Sequence, residues 1–376
     1  MTAQKGIYLD NNASTEIDPA VKQAYFDAIE KSLGNPSSMH YAGQSQKKLL
    51  SEARYTIASY LGVKPTEIYF TSGATESVNM ILRGIAEVHP GCHIVSSSVE
   101  HACVINTLSH LEKKGTQVTY IHPGLFGAAT KEQVESALTK DTKLIALMAI
   151  NNETGVKTDI EAIAELAKKR GIPFFVDGAA LLGKERFSIP AGVTAMSFSG
   201  HKLHAPKGIG FSFVRKGLRF ASQMTGGEQE FGKRGGTENT PAIVALAKAV
   251  QMLEPILEGA EMRMRELRDL FEVLLLQQLP NLSINGQGER VANTSNIAFP
   301  GIEGETLLST LSLRGVAASH GSACASGALE PSRILLNMGI DPRLAASSLR
   351  FSLSRFTTRE EIEAAAEIIV SSVKRP

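Results

Sequence analysis

Between residues 94 and 214, short apolar runs alternate with segments of helical periodicity, and this alternation constrains the fold more than any other feature. The runs 94–97, 118–121, 144–150 and 172–176 are largely apolar and read as short buried strands. Two more strands are expected at 194–198 and 209–214. Segments 131–139 and 159–170 read as helices between strands. In the second, Ile160, Ile163, Ala164 and Ala167 share one face, and Lys168, Lys169 and Arg170 sit at the end where the helix dipole favours cations. Strands separated by helices predict an α/β fold: a mostly parallel sheet with helices on both faces.

The pattern changes after Thr240. Residues 241–279 are helix-rich, with Pro255 and Gly259 as the expected interruptions. Beyond 291 come short strands at 294–299 and 347–353 and helices near 304–313, 331–338 and 358–373. This predicts a large α/β domain over 15–255 and a smaller α+β domain formed by 1–14 and 256–376. Lys plus Arg total 39 and Asp plus Glu 38 in 376 residues, a formal charge of +1 that points to neither nucleic acid nor an anionic membrane as a required partner. The longest apolar runs are far too short to span a bilayer, and MTAQKGIYLDNNAST has no basic region followed by an apolar stretch, so neither a membrane span nor a secretion signal is expected. Cys92, Cys103 and Cys324 have neither disulfide-framework nor zinc-site spacing, which reads as reduced thiols in the cytoplasm.

Polar groups follow the expected strand ends. The stretch 70–77 (FTSGATES) precedes an apolar helix, and Ala74 and Thr75 at its start suit either a phosphate or a plain Ser/Thr helix cap. It lacks the glycine spacing and lysine of a Walker loop. Residues 197–208 (SFSGHKLHAPKG) follow the strand near 194–198. Lys202 there suits a Schiff base with an aldehyde cofactor or is a solvated loop lysine, and Ser199 and His201 are further phosphate donors. Asp177, ending 172–176, can pair with a protonated pyridine nitrogen, cap a helix or ligate a metal, though no acids and histidines gather around it at metal-ligand spacing. His101 can stack on a ring, move protons or be structural, and 151–155 (NNETG) offers an amide or a turn. Four strand ends carrying polar groups together indicate a cofactor site at the carboxyl edge of the sheet.

The chain resembles the NifS/IscS-like cysteine desulfurases of the class V aminotransferase family, which have the type I pyridoxal-phosphate fold. The strings TSGATES (71–77), NNETG (151–155), SFSGHK (197–202), RGGTEN (234–239) and GSACASGALEPS (321–332) carry the resemblance, which runs from Tyr8 to Ser352. It implies a fold with a mostly parallel sheet of the seven-stranded type. It implies that Lys202 bonds pyridoxal 5'-phosphate covalently, that Asp177 pairs with the pyridine nitrogen and that His101 stacks on the ring. Asn152 would lie near the ring, and Ala74, Thr75, Ser199 and His201 would bind the phosphate. Thr237 would reach the phosphate of a neighbouring subunit, which implies a homodimer. Arg350 would clamp the substrate carboxylate with help from Asn35. Cys324, among small residues, would attack the sulfur of L-cysteine and hold it as a persulfide, leaving alanine; His320 is a candidate for ionising it. Cys92 and Cys103 are expected to be structural. The sulfur would pass to an acceptor protein, an iron–sulfur scaffold or a carrier for tRNA thiolation.

Three positions depart from the pattern of that family. Ala180 stands where a glutamine usually donates to the cofactor's 3-oxygen, Glu228 where a glycine is typical, and Phe231 where an arginine is typical. The chain ends at Lys374-Arg375-Pro376, without the tail that resembling enzymes use near their scaffold partner, so that docking segment is expected to be missing. The rival readings are a selenocysteine lyase or another lyase or aminotransferase of the same fold, and a catalytically impaired binding homologue. Dependence on Cys324 separates the first rival, and absence of bound cofactor would mark the second.

Overall fold

The computed structural model describes residues 6–321 and 331–374. Its centre is a seven-stranded sheet in the order Ile68–Thr71, Gly210–Val214, Ala195–Ser199, Phe174–Asp177, Thr142–Met148, His93–Ser97, Gln117–Ile121. Only Gly210–Val214 runs antiparallel to its neighbours. The inner strands His93–Ser97, Ala195–Ser199 and Gly210–Val214 are buried at every position, as continuous apolar runs require when both faces are covered. The edge strand Gln117–Ile121 alternates exposed and half-buried residues instead.

Two apolar clusters lie against this sheet. One includes Ile145, Leu147, Phe174 and Val176 with residues of the helices Tyr41–Leu61, Ile160–Arg170 and Thr240–Gln278. The other gathers Ile81, Ile85, Leu108, Leu144 and Phe175. A third cluster joins Leu9 to Phe271, Leu311, Phe351 and Ile369, around a three-stranded antiparallel sheet whose middle strand is Thr294–Ala298. Ile7–Tyr8 pairs with Val316–Ala317. On the separation of this third cluster from the first two we propose the division of the chain near residue 255.

The segment 241–279 differs from expectation. Neither Pro255 nor Gly259 interrupts it: one helix runs through Thr240–Gln278. A proline inside a helix costs about 3 kcal/mol, but Leu253 and Leu257 on either side are buried in the core and hold both flanks in line. By length and composition this helix would cross a membrane, the one such helix among the described residues, although apolar run lengths alone suggested none. Its apolar side packs on the helices Pro19–Glu30, Tyr41–Leu61 and Arg359–Lys374, so it serves as a core helix.

Candidate active site

The parallel strands end on one side of the sheet, and their polar followers meet there. A cavity of about 520 Å³ at this edge is lined by Ala74, Thr75, His101, Asn152 and Asp177, and also by Ser199, His201, Lys202 and Arg350. All but Arg350 follow or end strands of the central sheet, whose carboxyl ends come to the same edge, whereas Arg350 comes from the antiparallel strand Ser348–Ser352.

At one end of the cavity the helix Ala74–Val88 begins. Its N-cap, Gly73, has no side chain to satisfy the first amides, so they remain donors for an anion. The hydroxyls of Thr75 and Ser199 line the same end. The backbone crosses closely here: a Cβ on Gly210 would lie 2.6 Å from Gly73 Cα, so only glycine fits at 210. Burial, then the charge of Lys202, holds the His201 imidazole down to about 4, so it meets an anion as a neutral hydrogen-bonding ring.

Asp177 is buried, and its Oδ1 accepts from Ala179 N at 3.0 Å and Ser197 Oγ at 3.1 Å. These bonds orient the carboxylate from one side. Lys202 lies in the short turn Gly200–Lys202 after the strand Ala195–Ser199, and its Nζ donates to Asn12 O and, at 3.0 Å, to Ala13 O. A second lysine, Lys184, also lines the cavity while 3% exposed. Burial, then the charge of Lys202, brings its amine down to about 7. Two amines so placed resist simultaneous protonation, which favours a neutral, nucleophilic nitrogen.

Arg350 is 2% exposed and already engaged. Its Nη2 donates to Asp10 Oδ1 at 2.6 Å and its Nη1 to Asn152 O at 3.0 Å. Its Nε is buried without a partner among the described residues, as is Asn152 Oδ1. A buried donor and a buried acceptor left open beside one cavity are unfavourable until a ligand pairs them.

Asn35 and Thr237 do not line this cavity. They are exposed, and Asn35 Nδ2 donates to Thr237 Oγ1 at 3.4 Å. Cys324 lies outside the described residues; His320 Nε2 bonds the carbonyl of Ala346 at 2.9 Å. Of the departures, Ala180 lines the cavity. Phe231 is half-exposed, edge-on to Tyr69 and 5.1 Å from the Arg54 guanidinium, in a left-handed conformation with φ 56°. Glu228 stands at the N-cap position of the short helix Gln229–Gly232 without a side-chain capping bond.

Lys184 and Cys103 are among the cavity residues that sequence reasoning missed. Lys184 follows a glycine in an apolar stretch and carries no local signal. Cys103, expected to be structural, lines the cavity with its Sγ 3.0 Å from His101 Nδ1. Its position two residues after a histidine at a strand end was the available sign. Cys92, by contrast, is buried in the second apolar cluster.

The residues fit pyridoxal phosphate. An uncapped helix start with hydroxyls suits its phosphate, a lysine suits its aldehyde carbon, and an oriented buried carboxylate suits its ring nitrogen.

Residues 7–365 match the family model described as aminotransferase class-V. The chain is 42% identical over 372 residues to cysteine desulfurase 2 of Trichormus variabilis (strain ATCC 29413 / PCC 7937), covering 98% of this chain and 93% of that protein. Among solved structures, it superposes on a NifS-like protein with a TM-score of 0.91 and 34% identity, covering 97% and 98% of the two chains. It also superposes on SspA in complex with cysteine with a TM-score of 0.83 and 32% identity, over 93% and 99%.

Proposed function

Because the chain belongs to the aminotransferase class-V family and is a pyridoxal-phosphate-dependent cysteine desulfurase, we propose that Lys202, His101, Asp177 and Arg350 run the reaction in this cavity and that Cys324 receives the sulfur. The observation that carries the assignment is the meeting of these first four residues, from four separate elements of the chain, around one cavity.

In this reading the start of the helix Ala74–Val88 holds the cofactor phosphate with Thr75, Ser199 and His201, Lys202 holds its aldehyde carbon, and Asp177 holds its ring nitrogen. When bound, pyridoxal phosphate supplies an electron sink for the carbon that carries the substrate amino group. Arg350 orients the carboxylate of L-cysteine through its open Nε, kept in place by Asp10. Lys202 takes the proton from the α-carbon at Nζ. Cys324 Sγ then attacks the substrate sulfur: the sulfur–carbon bond breaks, a sulfur–sulfur bond forms, and the released carbon gains a proton. L-Cysteine and the enzyme thiol thus become alanine and an enzyme persulfide.

The persulfide passes to a sulfur acceptor, which we assign to an iron–sulfur scaffold or a carrier for tRNA thiolation. The exposed Asn35–Thr237 pair supports a homodimer in which Thr237 completes the partner's phosphate site. Sedimentation equilibrium is expected to give twice the chain mass, and a single-chain mass would overturn the shared site. Reduced thiols support a cytoplasmic setting.

The test is quantitative alanine formation from L-cysteine, with pyridoxal phosphate and a reductant, in the native chain and in Cys324→Ala. Alanine production is expected to fall by more than about 100-fold in the variant, as when a nucleophile is removed. Equal alanine from both proteins would remove Cys324 from the reaction and favour a lyase that needs no thiol.

A further inference from the structure

His101 precedes the helix Ala102–Glu112 and acts as its N-cap. Its Nδ1 accepts the backbone N–H of Cys103 at 3.1 Å, and Cys103 Sγ stands 3.0 Å from the same nitrogen. The backbone group has only a proton to give, so Nδ1 is the acceptor in that bond. An Nδ1–H would oppose it. The sulfur must then donate as well, and its environment keeps the thiol protonated: burial, then the negative charge of Asp177, push the thiol well above its ordinary range. Nε2 makes no hydrogen bond among the described residues, and the ring lines the cavity.

We propose that Cys103 is a positioning residue whose S–H, together with its own N–H, holds His101 Nδ1 as an acceptor and keeps the imidazole proton on Nε2, the nitrogen left for the ligand. The inference rests on reading this cavity as the reaction site. It divides the work there: a neutral His101 gives a hydrogen bond from Nε2 and does not serve as the base, so removal of the α-proton belongs to Lys202.

The groups around the ring act in both directions. Burial lowers the basicity of His101 first; the charge of Asp177 raises it, and those of Lys202, Arg333 and Arg350 lower it. Glu100, next in the chain, is buried, and burial pushes its carboxyl well above the ordinary range, which weakens its negative charge beside the ring. Thr75 is hydrogen-bonded to the thiol. A donor to the Nδ1 lone pair stabilises the unprotonated ring, so deleting the thiol raises the ring's pKa.

The experiment uses protein labelled with 15N-histidine, with and without bound pyridoxal phosphate, with the His101 signals assigned by their loss in His101→Gln. The native ring is expected to show an unprotonated Nδ1 and a protonated Nε2 across neutral pH. In Cys103→Ala the ring pKa rises by roughly 0.5–1 unit, the scale of one lost hydrogen bond. The acidic limb of kcat/KM rises with it. Cys103→Ser, which keeps a donor, restores the native values. A native ring protonated on Nδ1 would overturn the proposal without any variant, as would an unchanged ring pKa in Cys103→Ala. Failure to form alanine while these ring signals hold would count against the catalytic reading of the cavity and leave the Cys103–His101 contact standing.

Discussion

Lys202→Ala is expected to reduce alanine formation from L-cysteine by at least about 10³-fold, because one side chain supplies both the bond to the cofactor and the proton transfer. No neighbouring group replaces it. Lys184 lines the same cavity, but it lies on the loop after the strand Phe174–Asp177, whereas Lys202 projects from the turn after Ala195–Ser199. The variant should also release pyridoxal phosphate on gel filtration while the native chain retains it. Its fold should hold, since the Asn12 and Ala13 carbonyls that Nζ bonds can be satisfied by water once the side chain is gone. Turnover within tenfold of native would mean that Lys184 or another amine does the work, and the assignment of Lys202 would fall.

The second large effect is on stability. Glu230→Ala is expected to destabilise the protein by about 3–5 kcal/mol, the cost of leaving a buried charge without its partner. Glu230 is 4% exposed, and its carboxylate accepts from Arg54 Nη1 at 2.8 Å, Arg54 Nη2 at 2.6 Å and Phe70 N at 2.8 Å. Removal would strand a buried guanidinium and a buried strand amide together. Glu230 and Phe231 both hold left-handed backbone, with φ 49° and 56°, at a cost of roughly 1–2 kcal/mol each, so the ion pair also holds a strained turn in place. Phe70 leads through Thr71 into the start of the helix Ala74–Val88, so cofactor retention should weaken along with the fold. Glu230→Gln, which keeps an acceptor for the Phe70 amide, should lose less, about 1–3 kcal/mol. Urea unfolding of the three proteins measures this directly. Equal stability of native protein and Glu230→Ala would show that water reaches Arg54 and that the pair is not sealed.

The region around Glu230 shows where local reading stops. Glu228 and Phe231 were visible as departures from a pattern, but nothing in the string from Gly226 to Asn239 says that Glu230 pairs with Arg54, 176 positions earlier. The same holds for Arg350 and Asp10, 340 positions apart. The resemblance assigned Arg350 to the substrate, and the structure adds that an internal carboxylate already shares it. Cys103 was set aside as structural because it lacks the small-residue setting that surrounds Cys324. Its contact with His101 depends on how the helix start meets the sheet edge.

What the sequence determined by itself was the alternation of strand and helix, and with it the parallel sheet and the edge to which polar strand ends must come. Those are consequences of local periodicity and of the rule that parallel strands finish on one side. The strands expected at 94–97, 144–150 and 172–176 lie within two residues of those observed. The tertiary structure alone decided the rest: the unbroken helix through Pro255, the buried Arg54–Glu230 pair, the neighbouring amines of Lys184 and Lys202, and the protonation pattern imposed on His101. Each depends on burial and on groups brought together across large sequence separations, and none has a local signature, because desolvation and Coulombic coupling act through space and not along the chain.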